Sequence, residues 1–135
     1  MTFSRGKVAV VAMYTIFIGS IIYAANSNSL YPTLLEWVRA TPGMDKLGHF
    51  VLVGTLAFLV NWILSCRTIS VAGRRLFLGS IICFALFTAE EISQIWIPSR
   101  TFDLFDFLAN TLGILLIGSL AKMLTRANVP AEPAV

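Results

Sequence analysis

Charge is what this chain has least of. Only 13% of its 135 residues are charged, against 57% hydrophobic, and its mean hydropathy is +0.81. That balance is too apolar for an ordinary soluble domain. Histidine occurs once and cysteine twice, which excludes a disulfide framework and argues against a zinc site. Cys66 and Cys83 both fall in apolar runs and read as reduced filler. The net charge of +3 does not signal nucleic-acid binding, because the basic residues flank the apolar runs, where Lys and Arg set membrane orientation.

What is present is four long apolar runs, at residues 8–25, 47–66, 76–97 and 104–124. About 20 helical residues at ~1.5 Å each cross a hydrocarbon layer of ~30 Å. The expected fold is therefore all-α, an integral membrane bundle of four transmembrane helices in one domain over residues 1–126. Seven basic residues (Arg5, Lys7, Arg67, Arg74, Arg75, Lys122, Arg126) fall on one side of this topology and three (Arg39, Lys46, Arg100) on the other. The richer side is expected to be cytoplasmic, with both termini inside. The first run exceeds the ~7–15-residue core of a secretory signal, so it is expected to be a retained helix.

The first external loop carries Leu30, Leu34, Trp37 and Val38 at helical spacing, with Glu36 and Arg39 opposite. This predicts a short interfacial helix with Trp37 at headgroup depth. The segment "RTISVAGRR" reads as a short cytoplasmic loop between antiparallel neighbours. Pro98 is expected to end the third helix. Residues 127–135 hold two of the five prolines and read as a disordered tail.

Four of the seven carboxylates fall within residues 90–106. Under the expected topology, Asp45, Lys46 and His49 open the second span on the outside. Glu90, Glu91 and Gln94 close the third there, and Asp103, Asp106 and Asn110 open the fourth, with Arg100 in the turn between. Asp45 and His49 are i, i+4, while Asp103, Asp106 and Asn110 are i, i+3, i+7, so each set shares a helix face. Asp106 and Asn110 echo the Asp45–His49 spacing. A charge in hydrocarbon costs at least ~2.5–3.5 kcal/mol, so these groups should pair or face a wet cavity. Five carboxylates against Lys46 and Arg100 call for protons or a bound cation to offset the excess. Plainer roles compete: Asp45 and Asp103 as helix caps, Lys46 reaching to headgroups, Gln94 and Asn110 as interhelical glue. Ala109 and Gly113 form a small-xxx-small step suited to close packing. Asn61, alone near the other end of its span, reads as packing.

The pieces "DKLGHF", "EISQ" and "RTFDLFDFLANTLG" resemble the VanZ-like family of small bacterial membrane proteins. The resemblance covers roughly residues 45–113, and Glu90 has no counterpart in its pattern. It implies a multi-span protein of the cell envelope, in the bacterial inner membrane. The family's namesake is linked to low-level resistance to the glycopeptide teicoplanin.

These readings converge on an outward-facing polar site that binds, and is a candidate to modify, a lipid-linked or cell-wall substrate. The candidate catalytic groups are Asp106 or Glu91 as base and His49 as proton partner. Lys46 and Arg100 are candidate anion holders, with Gln94, Asn110 and Asp45 as orienting groups. A divalent cation, if used, would prefer the oxygens of Asp103, Asp106 and Glu91. Expected partners are membrane lipids, a lipid-linked envelope precursor and a second copy of the chain. Two rival readings stay open: a proton- or ion-coupled transporter, and a non-catalytic accessory subunit.

Overall fold

The computed structural model describes residues 4–27, 37–38, 40–98 and 100–126. In chain order the elements are α1 (Arg5–Ser27), α2 (Met44–Ile63), β1 (Thr68–Val71), β2 (Arg74–Phe77), α3 (Leu78–Ser93), a 3-10 turn (Gln94–Trp96), α4 (Leu104–Ser119) and α5 (Ala121–Arg126). Among the described residues, four helices are long and apolar enough to cross a membrane: Arg5–Ser27, Met44–Ile63, Leu78–Trp96 and Leu104–Thr125. They coincide with the four runs expected from hydropathy. The rest of the predicted interfacial helix lies outside the described residues; Trp37 and Val38 are described and helical, with Trp37 exposed. Residues 127–135 also lie outside them.

Three local expectations are corrected. The segment read as a loop is an antiparallel hairpin in which Thr68 pairs with Phe77 and Val71 with Arg74, so the fold is a helical bundle with one small β-hairpin. Ala72 and Gly73 both have positive φ, 49° and 76°. That is the two-residue turn whose twist matches paired strands. The hairpin consumes Leu76 and Phe77, and the third helix starts only at Leu78. Cys66 lies past the end of α2, in a left-handed conformation at φ 53°, and its thiol accepts from Thr125 Oγ1 at 3.4 Å. Cys83 alone is buried in the core, and both cysteines are free.

The bundle is organised around α2 and α4, which make its most extensive helix contact. Their backbones touch where two glycines meet. A Cβ added to Gly113 would lie 2.2 Å from the Phe50 carbonyl oxygen, and one on Gly54 would lie 2.8 Å from the Gly113 oxygen. The small-residue step read from Ala109 and Gly113 thus sits at the crossing. Ile18, Val53, Leu56, Ala57, Cys83, Phe87 and Ile114 form the core. Met13, Ile16, Phe17, Tyr23, Leu86, Leu115 and Leu116 point outward, each more than half exposed. Lipid tails are as apolar as these side chains, so such faces carry no penalty in a bilayer.

One end of the bundle is tied by Asn61, which is fully buried. Its amide donates to Ser80 Oγ at 2.8 Å and the Gly118 carbonyl at 3.0 Å, and its oxygen accepts from Ser80 N–H at 3.0 Å. One side chain therefore links α2, α3 and α4. Lys7 stacks over the Trp62 ring at 4.6 Å, and Thr125 reaches Cys66. The start of α1, the hairpin and α5 consequently share this end. Interhelical hydrogen bonds in membranes average ~0.6 kcal/mol and reach ~1.7 kcal/mol. Asn61→Ala, which breaks three, is expected to cost about 2 kcal/mol, read as a lower Tm of the purified chain in detergent. An unchanged Tm would show that the knot is redundant.

Candidate functional site

At the opposite end the polar side chains of three helices converge. α2 begins just after Gly43, whose φ of 78° turns the chain into the helix. Asp45 is therefore the second helical residue and not the cap; its carboxylate accepts from the Lys46 backbone N–H at 2.9 Å and from the Lys46 ammonium at 2.8 Å. Asp103 does cap α4, accepting from Phe105 N–H at 2.8 Å. Its other oxygen meets Lys46 Nζ at 2.5 Å, and Asp106 Oδ1 lies 2.8 Å from the same nitrogen. Lys46 is thus held by three carboxylates. Beside Asp103, the Lys46 ammonium and then the Phe105 N–H hold its carboxyl below the usual carboxylate range.

His49 stands one turn deeper. Its Nε2 lies 3.6 Å from Asp106 Oδ2 and its Nδ1 lies 3.1 Å from Asn110 Oδ1. The echo between the Asp45–His49 and Asp106–Asn110 spacings thus becomes a contact, with the two i+4 residues facing each other. Asn110 Nδ2 is buried with no partner. Reversing the Asn110 amide would turn it into a donor to Nδ1 and leave the ring proton on Nε2, toward Asp106. The pair therefore supports two proton arrangements that differ by an amide flip.

Glu91 and Gln94 lie deeper still in the protein, 0% and 1% exposed. Glu91 accepts from the Asp103 backbone N–H at 3.3 Å and from Gln94 Nε2 at 3.5 Å. It sits at the start of α4, where the helix dipole favours an anion. Gln94 also donates to both oxygens of Glu90 at 3.2 Å. The cation set expected from Asp103, Asp106 and Glu91 is not assembled. The two aspartates turn to Lys46, Glu91 turns to backbone, and among the described residues no three His, Cys, Asp or Glu groups are placed to hold a metal ion.

These groups form one end of a cavity of about 410 Å³. Its polar wall is Asp45, His49, Glu90, Gln94, Arg100, Thr101, Asp103 and Asp106, and its apolar wall includes Ile18, Ile21, Ile22 and Ala25 of α1 with Leu52, Val53 and Phe87. Lys46, Glu91 and Asn110 are not part of that lining. Arg100 has no ion pair among the described residues, in contrast to Lys46. Sequence reasoning missed the wall from α1 and the place of Glu90. Ile18, Ile21, Ile22 and Ala25 follow i, i+3, i+4, i+7, but in a run that is apolar all round this stripe has no contrast.

Fold and site together define a small membrane protein whose four apolar helices, among the described residues, enclose a polar-ended cavity. A family model described as VanZ/LLP1 matches residues 7–125. The chain belongs to that family. No curated protein and no solved structure matches it.

Proposed function

We propose that the cavity is an extracytoplasmic site for an amphiphile, an anionic group held at Arg100 and an apolar chain laid against α1. A lipid-linked envelope precursor is the substrate class that fits. The observation that carries this reading is the division of one cavity into a polar wall, whose Arg100 has no ion pair among the described residues, and a wall of apolar side chains. Guanidinium groups suit phosphate and carboxylate because they offer paired donors. The outward orientation is supported by the basic residues Lys7, Arg67, Arg74, Arg75 and Lys122, which belong to the other end of the bundle.

Modification of the bound molecule would fall to Asp106 and His49. They line the cavity together, and His49 bridges Asp106 and Asn110, as a proton-transferring pair requires. Glu91 does not line the cavity and serves to position the start of α4. The namesake's link to teicoplanin resistance would enter through such a precursor, whose abundance or chemistry at the outer leaflet a protein of this kind would alter.

Mass spectrometry of lipids retained by the purified chain tests the reading. The parent is expected to retain a discrete amphiphile, and Arg100→Gln to reduce it at least tenfold while the helical content and Tm hold. A parent that carries only the bulk lipid mixture would refute the site.

A further inference from the structure

The charges facing the cavity are not all engaged with one another. Arg100 lines it with no ion pair among the described residues. Glu90 lines it from another element, and among the described residues its two oxygens accept only from the neutral Gln94 amide. Gln94 points a nitrogen at carboxylates, so that nitrogen is a donor by necessity. Its Oε1 is then left buried with no donor, in a residue that is 1% exposed and lines the cavity. A buried acceptor without a donor is destabilising, and a ligand N–H would relieve it.

Arg100 and Glu90 do not pair with each other. A molecule that fills the space between them must therefore answer a cation at one point and two acceptors at another. A purely anionic headgroup satisfies Arg100 but meets Glu90, Asp103 and Asp106 as like charges, and a purely cationic one leaves Arg100 unanswered. We propose that the cavity selects an amine-bearing zwitterionic phospholipid, its phosphate on Arg100 and its primary ammonium on Glu90 and Gln94 Oε1. The inference rests on the amphiphile reading above and narrows its substrate class. It also assigns Glu90 a recognition role, through cavity-wall carboxylate oxygens that meet no cation among the described residues.

Native mass spectrometry of the full chain in detergent, titrated with defined lipids, tests it. Phosphatidylethanolamine is expected to bind at least tenfold tighter than phosphatidylglycerol or N-acetylated phosphatidylethanolamine, which lack the ammonium charge. Glu90→Gln should erase that preference, and Arg100→Gln should weaken both ethanolamine and glycerol lipids. The N-acetylated lipid reports on the parent protein, so the result stands even where Glu90→Gln folds poorly. Equal or tighter binding of phosphatidylglycerol by the parent, or an unchanged preference in a folded Glu90→Gln, overturns the proposal. If phosphatidylglycerol wins yet depends on Arg100, the amphiphile site survives and only its zwitterionic selectivity falls; if neither lipid depends on Arg100, both fall. Soluble glycerophosphoethanolamine separates the sources. Displacement at concentrations similar to the lipid supports the same headgroup chemistry on a free ligand, and failure to displace bound phosphatidylethanolamine supports the lipid.

Discussion

Lys46→Met is expected to lower the stability of the fold by about 3 kcal/mol. Its ammonium is the shared partner of Asp45, Asp103 and Asp106, and the substitution leaves three carboxylates together with no cation between them. Removing one partner of a buried ion pair costs about 3–5 kcal/mol, chiefly because the remaining charge is stranded. The low end applies because Asp45 and Asp103 are 38% and 35% exposed at the side chain and keep part of their hydration, whereas Asp106, at 11%, does not. Thermal unfolding in detergent reads the loss directly. The double variant Lys46→Met with Asp106→Asn should recover part of it, since the most buried of the three charges is gone. A Lys46→Met protein as stable as its parent would mean the carboxylates do not depend on the lysine. Acid gives a second check. Asp103 is held below its ordinary range in the folded state. Its contribution is therefore complete above about pH 3.9, the ordinary value of a free Asp, and is lost only as pH falls through the lower folded value. The stability gap between parent and variant should accordingly persist at neutral pH and close in strong acid.

Much of this site was legible because charge is so rare in the chain. A polar residue in a run of Leu, Ile and Phe must have a reason to be there, and His49, Glu91, Gln94, Asp106 and Asn110 each announced themselves by that cost. Helical spacing then placed them on faces, and the topology brought the faces to one end. What spacing could not provide was the order of partners. Lys46 and Arg100 are both cations of this end, yet the first is enclosed by three aspartates and the second meets no carboxylate among the described residues. That difference arises from the way α2 and α4 cross, which brings Lys46 to the first turn of α4. The hairpin escaped notice because its strands are four residues each, and Leu76 and Phe77 run straight into the apolar helix behind them. The glutamates were separable only in part. Glu90 and Glu91 lie ~100° apart around α3, and the structure turns one to the cavity and the other to the start of α4.

Gly113→Val should prevent α2 and α4 from approaching as they do, with a loss of at least about 3 kcal/mol. A Cβ there would lie 2.2 Å from the Phe50 carbonyl oxygen and 3.0 Å from its carbon. The obstacle is helix backbone, which cannot swing aside as a side chain would, so the helices must separate. Overpacking costs about 1–3 kcal/mol where side chains can adjust, and the upper end or beyond applies where they cannot. Gly19→Ala supplies the contrast. Gly19 lies within α1, nothing stands within 4 Å of a Cβ added to it, and a helical Gly→Ala gains roughly 0.5–1 kcal/mol. Unfolding midpoints of the two variants should therefore move in opposite directions from the parent. Separation of α2 from α4 also pulls Lys46 and His49 away from Asp106 and Asn110, since these four residues face each other across the same crossing. Gly113→Val should thus lose retained amphiphile along with stability, whereas Asn61→Ala, acting at the far end, should lower stability and leave ligand retention near the parent level. A Gly113→Val protein that keeps both would show that the crossing is looser than the glycine contact implies.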